Sequence, residues 1–178
     1  MDINFWGVQA ICFAAMAFSI SSFIFKKTWG ILLFQGIGNF LFVVQLFLLG
    51  SYAGSLGTIV TFSNNMVLVA SLYGVKWAKW KGWEWVLVAV ALFVYTITWE
   101  GPICLFPIIA TLVFIFTTWT RDEKIIRIGK VCCVGPFWMI FNYHAGTYAG
   151  VASEAFGTCV AAITLYLYHR DRKKYAEK

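Results

Sequence analysis

Seven runs of apolar residues, separated by short polar or glycine-bearing breaks, account for most of this chain: 4–25, 28–49, 51–73, 83–99, 102–119, 131–145 and 148–169. A helix needs roughly 20 such residues to cross the hydrocarbon of a bilayer, and the runs bracket that length. Within them the polar residues recur at helical spacing: Gln9, Cys12, Met16, Ser19 and Ser22 in the first, Gln35 and Asn39 in the second. The third reads Gly54, Gly57 or Thr58, then Thr61, Asn64 and Asn65. Such stripes of small and polar residues on an otherwise apolar cylinder face neighbouring helices. Gly36 and Gly38 in the second run leave room for close helix approach. The fourth and sixth runs are short. The sixth is expected to begin earlier, near Ile128, with Lys130 snorkelling to the headgroups.

Composition agrees with a bilayer as solvent: 61% of residues are hydrophobic and 12% charged, with a mean hydropathy of +0.76. Breaks this short leave no room for a soluble domain. Met1-Asp2 supplies no basic region and no small-residue cleavage site follows the first run, so that run reads as a retained span.

The net charge of +6 changes the picture only through where it falls. With seven spans, all 14 Lys and Arg residues lie on one side: Lys26 and Lys27; Lys76, Lys79 and Lys81; Arg121, Lys124, Arg127 and Lys130; Arg170, Arg172, Lys173, Lys174 and Lys178. That segregation predicts an external N-terminus and a cytoplasmic C-terminus, and makes the cations topology signals first and anionic-lipid contacts second. Lysines interleaved with Trp77, Trp80, Trp83 and Trp85 could suggest nucleic acid, but at a membrane boundary they form an aromatic belt, and no nucleic-acid partner is expected. Trp6, Trp29, Trp99 and Trp119 also stand near span ends, whereas Trp138 does not. Cys12, Cys104, Cys132, Cys133 and Cys159 show no metal-site spacing and read as small core residues.

An internal repeat supplies the architecture. Gly50-Ser-Tyr-Ala-Gly54 recurs 96 positions later as Gly146-Thr-Tyr-Ala-Gly150, each time between the second and third helix of a triplet. Residues 1–73 form a first triple-helix bundle, 74–101 a linker helix with its basic, Trp-rich cytoplasmic loop, and 102–178 a second bundle with a basic tail. The odd linker restores direction, so the triplets are parallel repeats about an axis along the membrane normal, with substrate expected between them. At the same offset Phe42 matches Trp138, Leu46 matches Asn142 and Thr58 matches Glu154, which concentrates distinctive chemistry in the second triplet.

The candidate binding residues follow. Trp138 and Asn142 share a helix face, and Trp138 is the tryptophan that anchoring leaves unexplained. Glu154 is the one carboxylate deep in an apolar run, where a lipid-facing charge is costly. Asn39, Asn64 and Asn65 are amides within spans; two adjacent amides cannot face one way, so one of Asn64 and Asn65 is available to a cavity. Pro107 and Pro136 have no counterparts in the first half and are candidate hinges.

Leu48-Leu-Gly-Ser-Tyr52, the run Leu105-Phe-Pro-Ile-Ile-Ala-Thr111, and Trp138-x-x-x-Asn142 followed by Ala145-Gly146 and Glu154 resemble the YgjV-type bacterial inner-membrane proteins over most of the chain. The resemblance implies a multi-pass protein of the bacterial inner membrane. The triplet, linker, triplet plan is similar to that of SWEET and PQ-loop carriers, and Trp138-x-x-x-Asn142 looks like part of the substrate motif of PnuC-type vitamin transporters. Gly135 stands where that motif has a second tryptophan, Pro107 is followed by Ile108 and not by Gln, and Asn64 and Asn65 match Val160 and Ala161, so sugar or vitamin specificity does not carry over.

The expected fold is thus an all-α integral membrane protein of seven transmembrane helices in a 3-1-3 arrangement. The expected function is facilitated transport of a small polar or aromatic metabolite bound between the bundles, using Trp138, Asn142, Glu154, Asn64, Asn65 and Asn39. The alternative is a non-transporting scaffold or sensor whose polar residues lock helix packing. Neither a cofactor nor a metal is called for: His144 with Glu154 offers too few ligands, and no nucleophile–base pattern marks an enzyme. No nucleotide-binding motif is present, so active transport would need a partner or proton coupling through a single carboxylate. The partners are the lipid bilayer and a solute, with a homo-oligomer left open.

Overall fold

The computed structural model describes residues 5–22, 24–25 and 27–176, with side chains for 7–22, 24–25 and 27–170. Lys26 and Lys178, and the side chains of Trp6, Arg172, Lys173 and Lys174, lie outside the described residues.

The described chain is all-helical, because a backbone in hydrocarbon must satisfy its own hydrogen bonds. Seven helices follow one another: α1 (Phe5–Ser22), α2 (Thr28–Leu48), α3 (Tyr52–Leu72), α4 (Trp83–Ile97), α5 (Pro102–Trp119, opening with a 3-10 turn), α6 (Glu123–His144) and α7 (Tyr148–Ala176). Five of them, α2, α3, α5, α6 and α7, are long and apolar enough to cross a membrane. Of the seven expected spans, α1 and α4 are the shorter apolar helices; the 15 residues of α4 reach about 22 Å at 1.5 Å per residue, against a hydrocarbon core of about 30 Å.

α6 departs most from expectation. It begins at Glu123, well before Ile128, where the Asp122 carboxylate accepts from the Lys124 backbone N–H at 2.8 Å and caps the helix. The ordinary ladder then gives way to a π turn over Lys130–Val134, in which Gly135 N–H bonds the Lys130 carbonyl five residues back. Pro136 follows directly and brings no N–H of its own, so this wide turn sits where the ladder would be interrupted anyway. Pro107 lies in the turn after the 3-10 segment, buried, its carbonyl accepting from Tyr95 Oη at 3.3 Å.

α2 packs between α1 and α3, and α6 between α5 and α7; α3 meets α5, and α1 meets α7. These contacts close a ring in the order α1, α2, α3, α5, α6, α7, while α4 packs on α3 and α5. Small residues set the spacing: a Cβ on Gly38 would come 2.4 Å from Ser19 Oγ on α1, and one on Gly36 would come 2.3 Å from Met66 Cε on α3. α4 turns Leu87, Ala91 and Tyr95 inward and leaves Val86, Val90, Phe93 and Ile97 exposed, the division expected when hydrocarbon covers the outside.

The connections between α1 and α2, α3 and α4, and α5 and α6 meet at one end of the ring. Thr28 Oγ1 donates to the Arg121 carbonyl (3.3 Å), Arg121 Nη2 to Ser71 Oγ (2.9 Å) and Arg127 Nη2 to the Phe25 carbonyl (3.2 Å). The basic loops thus share an end, and Arg121 reaches Ser71 from a left-handed backbone (φ 56°).

Candidate functional site

A central cavity of about 70 Å³ lies inside the ring. Every ring helix contributes to it: Ser19 from α1; Gln35, Asn39, Phe42 and Leu46 from α2; Thr58 and Thr61 from α3; Phe114 from α5. α6 adds Lys130, Val134, Trp138 and Asn142, and α7 adds Ser153, Glu154 and Gly157. Four pairs in this lining stand 96 positions apart: Phe42 with Trp138, Leu46 with Asn142, Thr58 with Glu154, and Thr61 with Gly157. Positions 96 residues apart therefore wall the same space.

The shortest polar contact in the cavity is one that the sequence reading does not anticipate. Lys130 Nζ lies 2.5 Å from Glu154 Oε2, with the two side chains only 16% and 15% exposed. Lys130 does not snorkel to the headgroups. The early start of α6 carries it two turns into the helix, and an opposite charge inside the bundle competes successfully with distant water. The sequence signal was there, a lysine amid an apolar stretch, but its proximity to the basic loop masked it.

Trp138 is 9% exposed and packs edge-on against Phe141 with ring centroids 5.7 Å apart, in a cluster with Ala110 and Val134. One part of the indole is held by this apolar packing while another borders the cavity. Asn142 is fixed by the turn that ends α6: Thr147 Oγ1 donates to its side-chain oxygen and sits 3.0 Å from its backbone carbonyl, which also accepts from Thr147 N–H. Asn39 Nδ2 donates to Thr61 Oγ1 at 3.2 Å, joining α2 to α3 at the cavity wall.

Trp138, Asn142, Glu154 and Asn39 are thus brought together, and Asn64 and Asn65 are not among the lining residues. Asn64 ties α3 to α5, donating to Thr118 Oγ1 and accepting from Trp119 Nε1, both at 2.9 Å. Asn65 is fully buried on the side of α3 facing Gly36, with neither amide atom partnered. Gln35, in contrast, lines the cavity, is 8% exposed, and has a carbonyl oxygen with no hydrogen-bond partner. Its spacing four before Asn39 had marked it as polar and interior, but not as part of a site.

The Imp-YgjV family model, described as a bacterial inner membrane protein, matches residues 6–172. Comparison with curated proteins and comparison with solved structures each returned no match.

Proposed function

Because the chain belongs to the Imp-YgjV family of bacterial inner membrane proteins, we propose a task set in that membrane: facilitated passage of a small polar or aromatic metabolite through the cavity between two helix triplets. The observation that carries this reading is the set of paired positions, one from each half, around a cavity that holds a lysine and a carboxylate. Ionisable residues inside a membrane bundle mark solute or ion pathways more often than structural sites. The order of contacts around the ring supports a triplet, linker, triplet plan with α4 outside, and parallel repeats of that kind place substrate at their shared axis. Basic loops gathered at one end support a cytoplasmic position for that end, which puts the N-terminus outside. The reading assigns no catalytic residue and no cofactor.

A cavity of about 70 Å³ is small beside the roughly 300–1,000 Å³ of small-molecule sites. In a carrier this corresponds to a contracted state, which widens by rocking one triplet against the other. The same closeness favours the second reading, a scaffold in which Lys130, Glu154 and the amides only lock the helices. Reconstitution separates the two. Proteoliposomes are exposed to a mixture of nucleosides, vitamins, sugars and amino acids, and their contents are analysed by mass spectrometry. Protein-dependent entry of one class supports the carrier; contents identical to those of empty liposomes support the scaffold.

A further inference from the structure

Lys130 and Glu154 are the only ionisable side chains among the described residues lining the cavity, so its formal charge is zero. That balance constrains what can enter. A solute carrying a single charge would pair with one partner and strand the other, or remain unpaired itself, in a space where uncompensated charge is heavily penalised. A molecule carrying one charge of each sign faces no such penalty. Its cationic nitrogen replaces Lys130 against Glu154, its carboxylate replaces Glu154 against Lys130, and one ion pair becomes two.

We propose that the cavity takes a small zwitterion of amino-acid size, which enters between Lys130 and Glu154 and exchanges their ion pair for two new ones. The proposal rests on the carrier reading and narrows its substrate class. A second, independent observation points the same way. Gln35, on the facing helix α2, lines the cavity, and its carbonyl oxygen is buried without a donor. An ammonium group offers three N–H donors, enough to serve Glu154 and, once the Gln35 amide turns toward the ligand, this orphaned carbonyl together. Trp138 and Phe42 supply the apolar walls that the carbon skeleton needs, and an indole face is favourable for a cationic nitrogen. The small volume sets the size: the ligand is on the scale of the few waters it displaces, plus the space gained when the ion pair parts.

The test is thermal unfolding of the purified protein in nanodiscs with glycine, alanine or β-alanine, against acetate and ethylammonium as single-charge controls and uridine as a neutral control. A zwitterion is expected to raise Tm on the order of 5 °C at a hundredfold excess over Kd, while the single-charge compounds leave it unchanged. The charge-balanced double variant Lys130→Met/Glu154→Gln should lose the response. Should that variant not fold, Gln35→Leu, which removes an unpartnered carbonyl and is expected to be at least as stable as the natural protein, must weaken it at least tenfold in Kd. Acetate or ethylammonium acting as well as the zwitterions, or an undiminished response in these variants, would overturn the proposal. Stabilisation by uridine alone would overturn it while leaving the carrier reading intact. Silence from all the compounds overturns it as well, and the liposome mixture then decides the carrier reading separately.

Discussion

Gly50 and Gly146 close the same turn in the two halves of the chain. Their backbones are left-handed, with φ of +75° and +71°, and each donates its N–H three residues back, to Phe47 and Tyr143. The next residue in each case, Ser51 or Thr147, donates five back, to Leu46 or Asn142. Nothing lies within 4 Å of a Cβ added at either glycine, so replacement meets conformational strain alone. Gly50→Ala and Gly146→Ala should therefore each cost about 1–2 kcal/mol, by similar amounts, in denaturant unfolding from detergent. A several-fold difference between them would show that the turns are not equivalent.

The ion pair makes a second prediction. Removing one partner leaves the other charged in a largely buried site, so Lys130→Met or Glu154→Gln alone should destabilise by roughly 3 kcal/mol, somewhat less where water reaches the remaining charge. Removing both should cost less than the sum of the single losses, because no charge is stranded. Additive losses in a double-mutant cycle would mean that the 2.5 Å contact carries no coupling.

The helix ends show why some of this was legible in sequence and some was not. α2, α3 and α5 end within about a residue of the apolar runs that announce them, because glycines at turns and tryptophans at interfaces punctuate the chain sharply. α6 does not: Glu123, Lys124, Arg127 and Lys130 look like a loop, yet they wind as helix from the Asp122 cap. The π turn starting at Lys130 then breaks the 3.6-residue spacing by which a face is assigned, so the direction of Lys130 could not be projected from that of Trp138. The 96-residue offset was visible in sequence and supplied three of the four position pairs around the cavity. Asn64 and Asn65 illustrate the limit of side-by-side amides: both are buried, one bonded between helices and one unpartnered, and spacing alone does not select the face that meets the cavity.

Orientation gives a third prediction. Single cysteines at Lys79 and Lys124, introduced into a protein lacking its five native cysteines, should react with a membrane-impermeant maleimide in inverted vesicles and not in spheroplasts. The contact between Arg121 and Ser71 requires the two loops to give the same result. Labelling of both from the outside would invert the orientation, and opposite results would break the arrangement of helices.

The central claim is that the cavity belongs to a pathway open in turn to the two sides of the membrane. Asn39 lines it from α2, half-buried and bonded to Thr61. In the cysteine-free background, Asn39→Cys is treated with a small impermeant thiosulfonate, separately in spheroplasts and in inverted vesicles. The account predicts labelling from both sides, with each rate far below that of an exposed loop cysteine, as expected of a narrow site that opens alternately to each side. Labelling from one side only, or from neither over hours in folded protein, would contradict it and leave the polar ring as a lock between helices.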